Sequence, residues 1–290
     1  MRNNTDCKDQ IHPFDETLDL PSDINLPFFA YGIFKPGQLA YSRIKSYVKK
    51  YEKTEINFNM LIRDGVPILA DKSHHHGTKG VLIYFNENDK EEAYETISGT
   101  EPKNLYKWEE EYIGSERINV LVGVCPRFGS SCLDYGSEYD GRKDPYFKEA
   151  IKLIEENLKN HKSRGMDIKP FFNLQMNYML LWAAIERYTK IKYGKKLGEN
   201  NKKLSEEKIF QESLKEHVDN NIREHVYSAE DLRKYYLNPE NPFYSIKYYY
   251  TLRCNVVHRG KAVIHDEQKI ERALTELLAI FKDVLDDTFK

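Results

Sequence analysis

The chain has 290 residues, 40% of them hydrophobic and 13% aromatic, with a formal net charge of −2. This is a globular composition with room for two ordinary domains, and it supplies no overall basic field, so any nucleic-acid contact must be local. The longest apolar run, "MLLWAAI", is far short of the roughly 18 residues that a membrane span needs. The polar start "MRNNTDCKDQ" and four cysteines scattered without metal-ligand spacing predict a reduced, cytosolic protein with no membrane association and no disulfide framework.

Residues 1–25 read as an N-terminal extension. From about Leu26 to 126, short apolar or alternating runs are broken by Gly, Pro, Asn and Asp: "LPFFAYGIF", "FNMLIRDGVPIL", "KGVLIYF", "INVLVGV". These are strand signals, with "DKEEAYETI" a short helix among them. The Gly-, Ser- and Asp-rich stretch 127–143 predicts a linker.

At Asp144–Pro145 the period changes to 3.6, and Phe147, Ala150, Ile151, Ile154 and Leu158 keep one helical face through to an expected all-α region, 144–290. A second, more apolar helix runs from about Phe171 to a stop at Gly194. "KKLGENNKK" reads as a solvated connector, and "SEEKIFQESLKEHVDNNI" as a third helix. A fourth spans about Tyr244–Arg259, and Ile270, Leu274, Leu277, Phe281 and Leu285 mark the last. The fold class expected is α+β: a mixed β-barrel followed by a helical bundle.

Inside the fourth helix, "YYYTLRCNVVHRGKAV" sets Arg253 and His258 five residues apart. On a straight helix they are separated by about 140°, and only the long arginine arm brings them together. Gly260 is expected to end the helix, leaving the imidazole at the negative end of the dipole. Asn255, one turn earlier, can orient the ring. A permanent cation beside a group that titrates near neutrality suits phosphodiester cleavage: histidine shuttles protons and guanidinium steadies charge on the phosphorane oxygens. RNA supplies its own nucleophile, the 2′-hydroxyl, so neither metal nor other cofactor is required. The bland alternative pairs Arg253 with a buried carboxylate, Glu186 in "LLWAAIERY" being the first choice. Tyr249 and Tyr250 offer either stacking faces for splayed bases or core rings.

"LRCNVVHRGK" closely resembles the signature of the HEPN family, an Arg, four to six residues and a His on one of the last long helices of an all-α bundle. The resemblance covers 144–290 and implies a metal-independent ribonuclease, commonly a toxin or anti-phage protein, with its site formed where two motifs meet in a homodimer. RNA, a second copy and an antitoxin or regulatory partner are the partners implied. Cys254 departs from the family, where a polar residue often follows the arginine.

Between Leu26 and Val124 the order of elements resembles the γ-glutamylcyclotransferase-like fold, a small mixed β-barrel with a Tyr-Gly-x-Leu loop. Tyr31, Gly32, Ile33 and Phe34 match the loop, which in that family binds a γ-glutamyl group. The family's glutamate acid/base falls most nearly on Glu101 in "GTEPKNLY"; an alignment on "ISG" would instead leave Ser98 there. The resemblance implies a small γ-glutamyl-like ligand, with a sensing role or cyclotransferase activity open. "SHHHG", Ser73 to Gly77, has adjacent histidines that cannot easily converge on one ion, so no metal site is expected.

Overall fold

A computed structural model describes residues 17–63, 65–72, 77–101, 103, 105–124, 132–134, 136–161, 168–194, 196–219, 221, 224–228, 232–259 and 267–290. The chain divides into two compact units, Met1–Asp144 and Pro145–Lys290.

The first unit contains β1 (Phe28–Ala30), α1 (Tyr41–Ile44), β2 (Val48–Ile56), β3 (Phe58–Arg63), β4 (Val66–Lys72), β5 (Thr78–Phe85), α2 (Lys90–Ser98), β6 (Tyr106–Ile113), β7 (Glu116–Gly123) and β8 (Cys132–Asp134). Five strands form a sheet in the order β2-β5-β1-β7-β6, and three form a second in the order β4-β3-β8. Among the described strand pairs of this unit, β1–β7 is parallel and the rest are antiparallel. The expected barrel is therefore corrected to an open mixed sheet: among the described residues no pairing joins β2 to β6. The edge strands explain why. β2, "VKKYEKTEI", is exposed along most of its length, and β6 carries Lys107, Glu109, Glu110 and Glu111. Charges of this kind guard free edges and oppose closure of one edge on the other.

Part of the expected linker belongs to this unit, because β8 pairs with β3 and Lys79 bridges to Glu138. Part of the expected N-terminal extension does so too: Leu18 is buried and Asn119 donates to the carbonyl of Asp23 at 2.8 Å. The core sets Phe28, Tyr94 and Trp108 edge to face, with centroids 5.4–6.5 Å apart. Gly80 sits where β5 crosses β1, and a Cβ there would lie 2.6 Å from both the Ala30 carbonyl oxygen and the Phe29 ring. Neither can yield, one being backbone and the other a fully buried ring. Gly80→Ala is expected to destabilise the first unit by about 1–3 kcal/mol in denaturant unfolding.

The second unit holds α3 (Pro145–Asn160), α4 (Ile168–Tyr193), α5 (Leu197–Glu206), α6 (Lys208–His217), β9 (His225–Tyr227), β10 (Lys234–Tyr236), α7 (Pro242–Arg259) and α8 (Glu267–Thr288). On α3 the buried face is Phe147, Ala150 and Ile154, and on α8 Ile270, Leu274, Leu277, Phe281 and Leu285 are all buried. Gly194 follows α4 with φ of +66°, and its amide donates to the Lys190 carbonyl at 3.0 Å, a left-handed stop. Two expectations need correction. "KKLGENNKK" is largely α5, with Asn200 and Asn201 buried, and the expected third helix breaks at Glu207 into α5 and α6. Tertiary burial overrides the poor helix propensity of Gly and Asn there.

Beneath α7 lies a buried network. Tyr249 donates to Glu276 at 2.8 Å, Tyr248 donates to Glu224 at 2.6 Å, and Arg272 pairs with Glu224. Burial raises the Glu276 carboxyl above its ordinary value of 4.5, and the Tyr249 hydroxyl and Arg272 only partly offset it. The folded state thus holds this proton more tightly than the unfolded chain, so stability falls as pH rises from about 4.5 through the raised value. Glu276→Gln is expected to gain stability relative to wild type across that window, as denaturant midpoints at about pH 4.5 and pH 7 will read out.

Candidate functional site

The helix α7 carries the Arg-x4-His motif because Ile246, Tyr249 and Leu252 give it a buried face, while Arg253 to Val257 emerge toward solvent. Arg253 is half-buried, and its Nη2 lies 3.2 Å from Glu186 Oε1 on α4. One turn before Glu186, Trp182 meets Tyr250 edge to face at 5.4 Å, and the Arg253 guanidinium sits 5.7 Å from the Tyr250 ring centroid. The i, i+4 pair on α4 thus faces the i, i+3 pair on α7. The Arg–Glu pair is close but poorly aligned: Arg253 Nε and Glu186 Oε1 are buried without a hydrogen bond among the described residues. Burial pushes the Tyr250 phenol up to about 12, with the neighbouring Cys254 adding to the shift and Arg253 opposing it. It stays a neutral hydroxyl near neutral pH.

His258 falls in the last turn of α7; its side chain, like Gly260, lies outside the described residues. Asn255 donates from Nδ2 to the Tyr227 carbonyl at 2.8 Å, and its Oδ1 is buried without a partner among the described residues. That bond fastens β9 onto the motif helix. The stacking face expected of Tyr249 is corrected. It is fully buried, so its ring is a core ring and presents no face to a base. Tyr250 is partly exposed.

In the first unit, Tyr31, Gly32, Ile33, Phe34 and Glu101 line one small cavity with Pro67 and Tyr106. Ser98 lies elsewhere, accepting from Trp108 Nε1 and donating to the Asp19 carbonyl, both at 3.1 Å. Glu101, and not Ser98, therefore shares the cavity with the Tyr31–Phe34 loop. Tyr31 donates to the Leu121 carbonyl at 2.9 Å, and Pro67 closes against the loop so tightly that a Cβ on Gly32 would stand 2.6 Å from its Cγ. The amides of Gly32, Ile33 and Phe34 make no hydrogen bond among the described residues. Lys35 is turned away into contacts with Glu138 and the Tyr139 carbonyl at 3.1 and 3.2 Å. Sequence reading missed Arg43, whose guanidinium is lowered from its ordinary value by burial while Glu101 works against the shift.

The cavity holds about 20 Å³. That is room for about one water, whereas ligand pockets run to about 300–1,000 Å³. Ser73 to His76 of "SHHHG" lie outside the described residues.

No protein-family model, curated protein or solved structure matches the chain. No described helix is long and apolar enough to cross a membrane.

Proposed function

We propose that the chain is a metal-independent endoribonuclease of HEPN type, working in toxin or anti-phage biology as a cytosolic homodimer through its helical unit. The first unit serves as a cyclotransferase-like sensor or recruiter for a small ligand or a regulatory protein. The observation that carries this reading is Arg253: it sits on α7 with an Nε donor that has no partner among the described residues, five residues before a histidine in the helix's last turn. A structural arginine would ordinarily have its donors satisfied.

In the reaction a base takes the proton of the 2′-hydroxyl, whose oxygen attacks phosphorus. The P–O5′ bond breaks, an acid protonates the departing 5′-oxygen, and the products are a 2′,3′-cyclic phosphate and a 5′-hydroxyl. Base and acid act at opposite ends of an in-line attack, so one histidine cannot readily serve both. Two motifs across a two-fold axis divide the work, the arginines bearing the phosphorane charge. Purified protein incubated with RNA in excess chelator is expected to give 2′,3′-cyclic ends. Cleavage that needs added metal, or 3′-hydroxyl ends, would sink the proposal.

A second reading, γ-glutamyl cyclotransfer at Glu101, is favoured by one observation, the convergence of that carboxylate with the Tyr31–Phe34 loop. The cavity's size weighs against turnover. Release of 5-oxoproline from a γ-glutamyl amine, lost in Glu101→Gln, would promote it over the sensing role.

A further inference from the structure

The two short strands β9 and β10, which no sequence signal announced, pair with Tyr236 opposite His225 and Lys234 opposite Tyr227. Side chains alternate across a sheet, so these four residues share one face while Val226 and Tyr235 take the other. Burial agrees: Val226 is buried, whereas Tyr227 and Tyr236 are 47% and 49% exposed. On the outer face the His225 ring touches both tyrosines, with centroids 5.2 Å from Tyr227 and 5.6 Å from Tyr236, and the Lys234 amine stands 5.0 Å from the Tyr227 ring. Three clustered aromatic rings, each partly open to solvent beside a cation, form an unusual surface for so short a ribbon. The ribbon is also fastened to the motif helix, since Asn255 donates to the Tyr227 carbonyl only three residues before His258. At 1.5 Å per residue that is about one helical turn from position 258.

We infer that the outer face of the β9–β10 ribbon binds single-stranded RNA, its rings stacking on bases while Lys234 takes a backbone phosphate. Aromatic faces accept any unstacked base and a cation tracks the backbone, which is how single strands are held without sequence preference. Among the described residues the acid beside the ribbon, Glu224, is engaged by Tyr248 and Arg272, which lowers its repulsion of a phosphate. As a substrate platform the surface rests on the ribonuclease reading; as a binding surface it stands alone.

The test uses the full chain and a short single-stranded RNA fully 2′-O-methylated, which cannot be cleaved, with affinity followed by fluorescence anisotropy. Tyr227→Ala with Tyr236→Ala is expected to weaken binding by about 10- to 100-fold. Tyr227→Trp with Tyr236→Trp should bind at least as tightly as wild type, which separates stacking from damage to the fold. Lys234→Gln should reduce the slope of log affinity against log salt by about 0.7. Wild type that fails to bind this RNA, or alanine variants that bind within about two-fold of wild type, overturn the inference and leave a protein as the occupant. Duplex RNA bound as tightly as the single strand also overturns it, because stacked bases offer no free faces. Weakened binding by the alanine pair alongside undiminished cleavage by His258→Ala would keep the surface and discard the ribonuclease reading.

Discussion

His258→Ala is expected to slow RNA cleavage by on the order of 10²–10⁴-fold while the dimer, seen by sedimentation, stays intact. His258 falls in the last turn of α7, and if its part is acid or base in the proposed reaction, its removal should leave the unfolding midpoint nearly unchanged. Arg253 is the harder case because it does two things. It holds Glu186 at 3.2 Å and, in the proposed mechanism, steadies the phosphorane. Arg253→Ala should cost on the order of 10²–10³ in rate, yet it also leaves Glu186 unpaired, and lost stability could masquerade as lost catalysis. Arg253→Ala combined with Glu186→Gln separates the two. Stability should recover, since a neutral amide needs no cation, whereas cleavage should remain as low as in the single variant. Recovery of both would make Arg253 a structural residue, and undiminished cleavage by His258→Ala would make the helical unit a scaffold.

Trp182→Ala should be the most destabilising core change in the second unit, at about 3–5 kcal/mol. Trp182 is fully buried and meets Tyr250 edge to face, so its loss removes both area and the aromatic contact that seats α7 on α4. The effect should reach the motif, because Glu186 is the next residue along the same face of α4 and Tyr250 shares a face with Arg253. Fluorescence and circular dichroism during denaturant unfolding will measure it. A loss below about 1 kcal/mol would mean that α4 and α7 do not pack as described.

The sequence made the second unit more legible than the first for a physical reason. A helix declares its buried face through local spacing, so the apolar residues of α8 and the stop at Gly194 could be read directly. Whether a sheet closes depends on which distant edges meet, and the charged rows of β2 and β6 belong to the open arrangement only once the strand order is known. α5 was hidden because its Asn and Gly content outvotes a helical reading until burial is seen. The ribbon was hidden because each strand has only three residues, too few for alternation to register. Of the candidate residues, the Glu186–Arg253 pairing followed from the need of a half-buried carboxylate for a cation. The bond made by Asn255 did not, since its partner is a backbone carbonyl 28 positions away in sequence. The preference for Glu101 over Ser98 likewise depended on which of the two lines the cavity.

The free edges of the five-stranded sheet bear on how copies of this chain can meet. β6 carries Glu109, Glu110 and Glu111, ion-paired within the chain to Lys107, Arg117 and Lys72, so a second copy laid against it would meet charged pairs and little apolar surface. β2 presents a lysine- and glutamate-studded row with few apolar residues to bury. Strand-by-strand polymerisation into ribbons or fibres is disfavoured at both ends. Growth through the sheet is thus disfavoured even where the chain is concentrated, and self-association, where it occurs, falls to other surfaces.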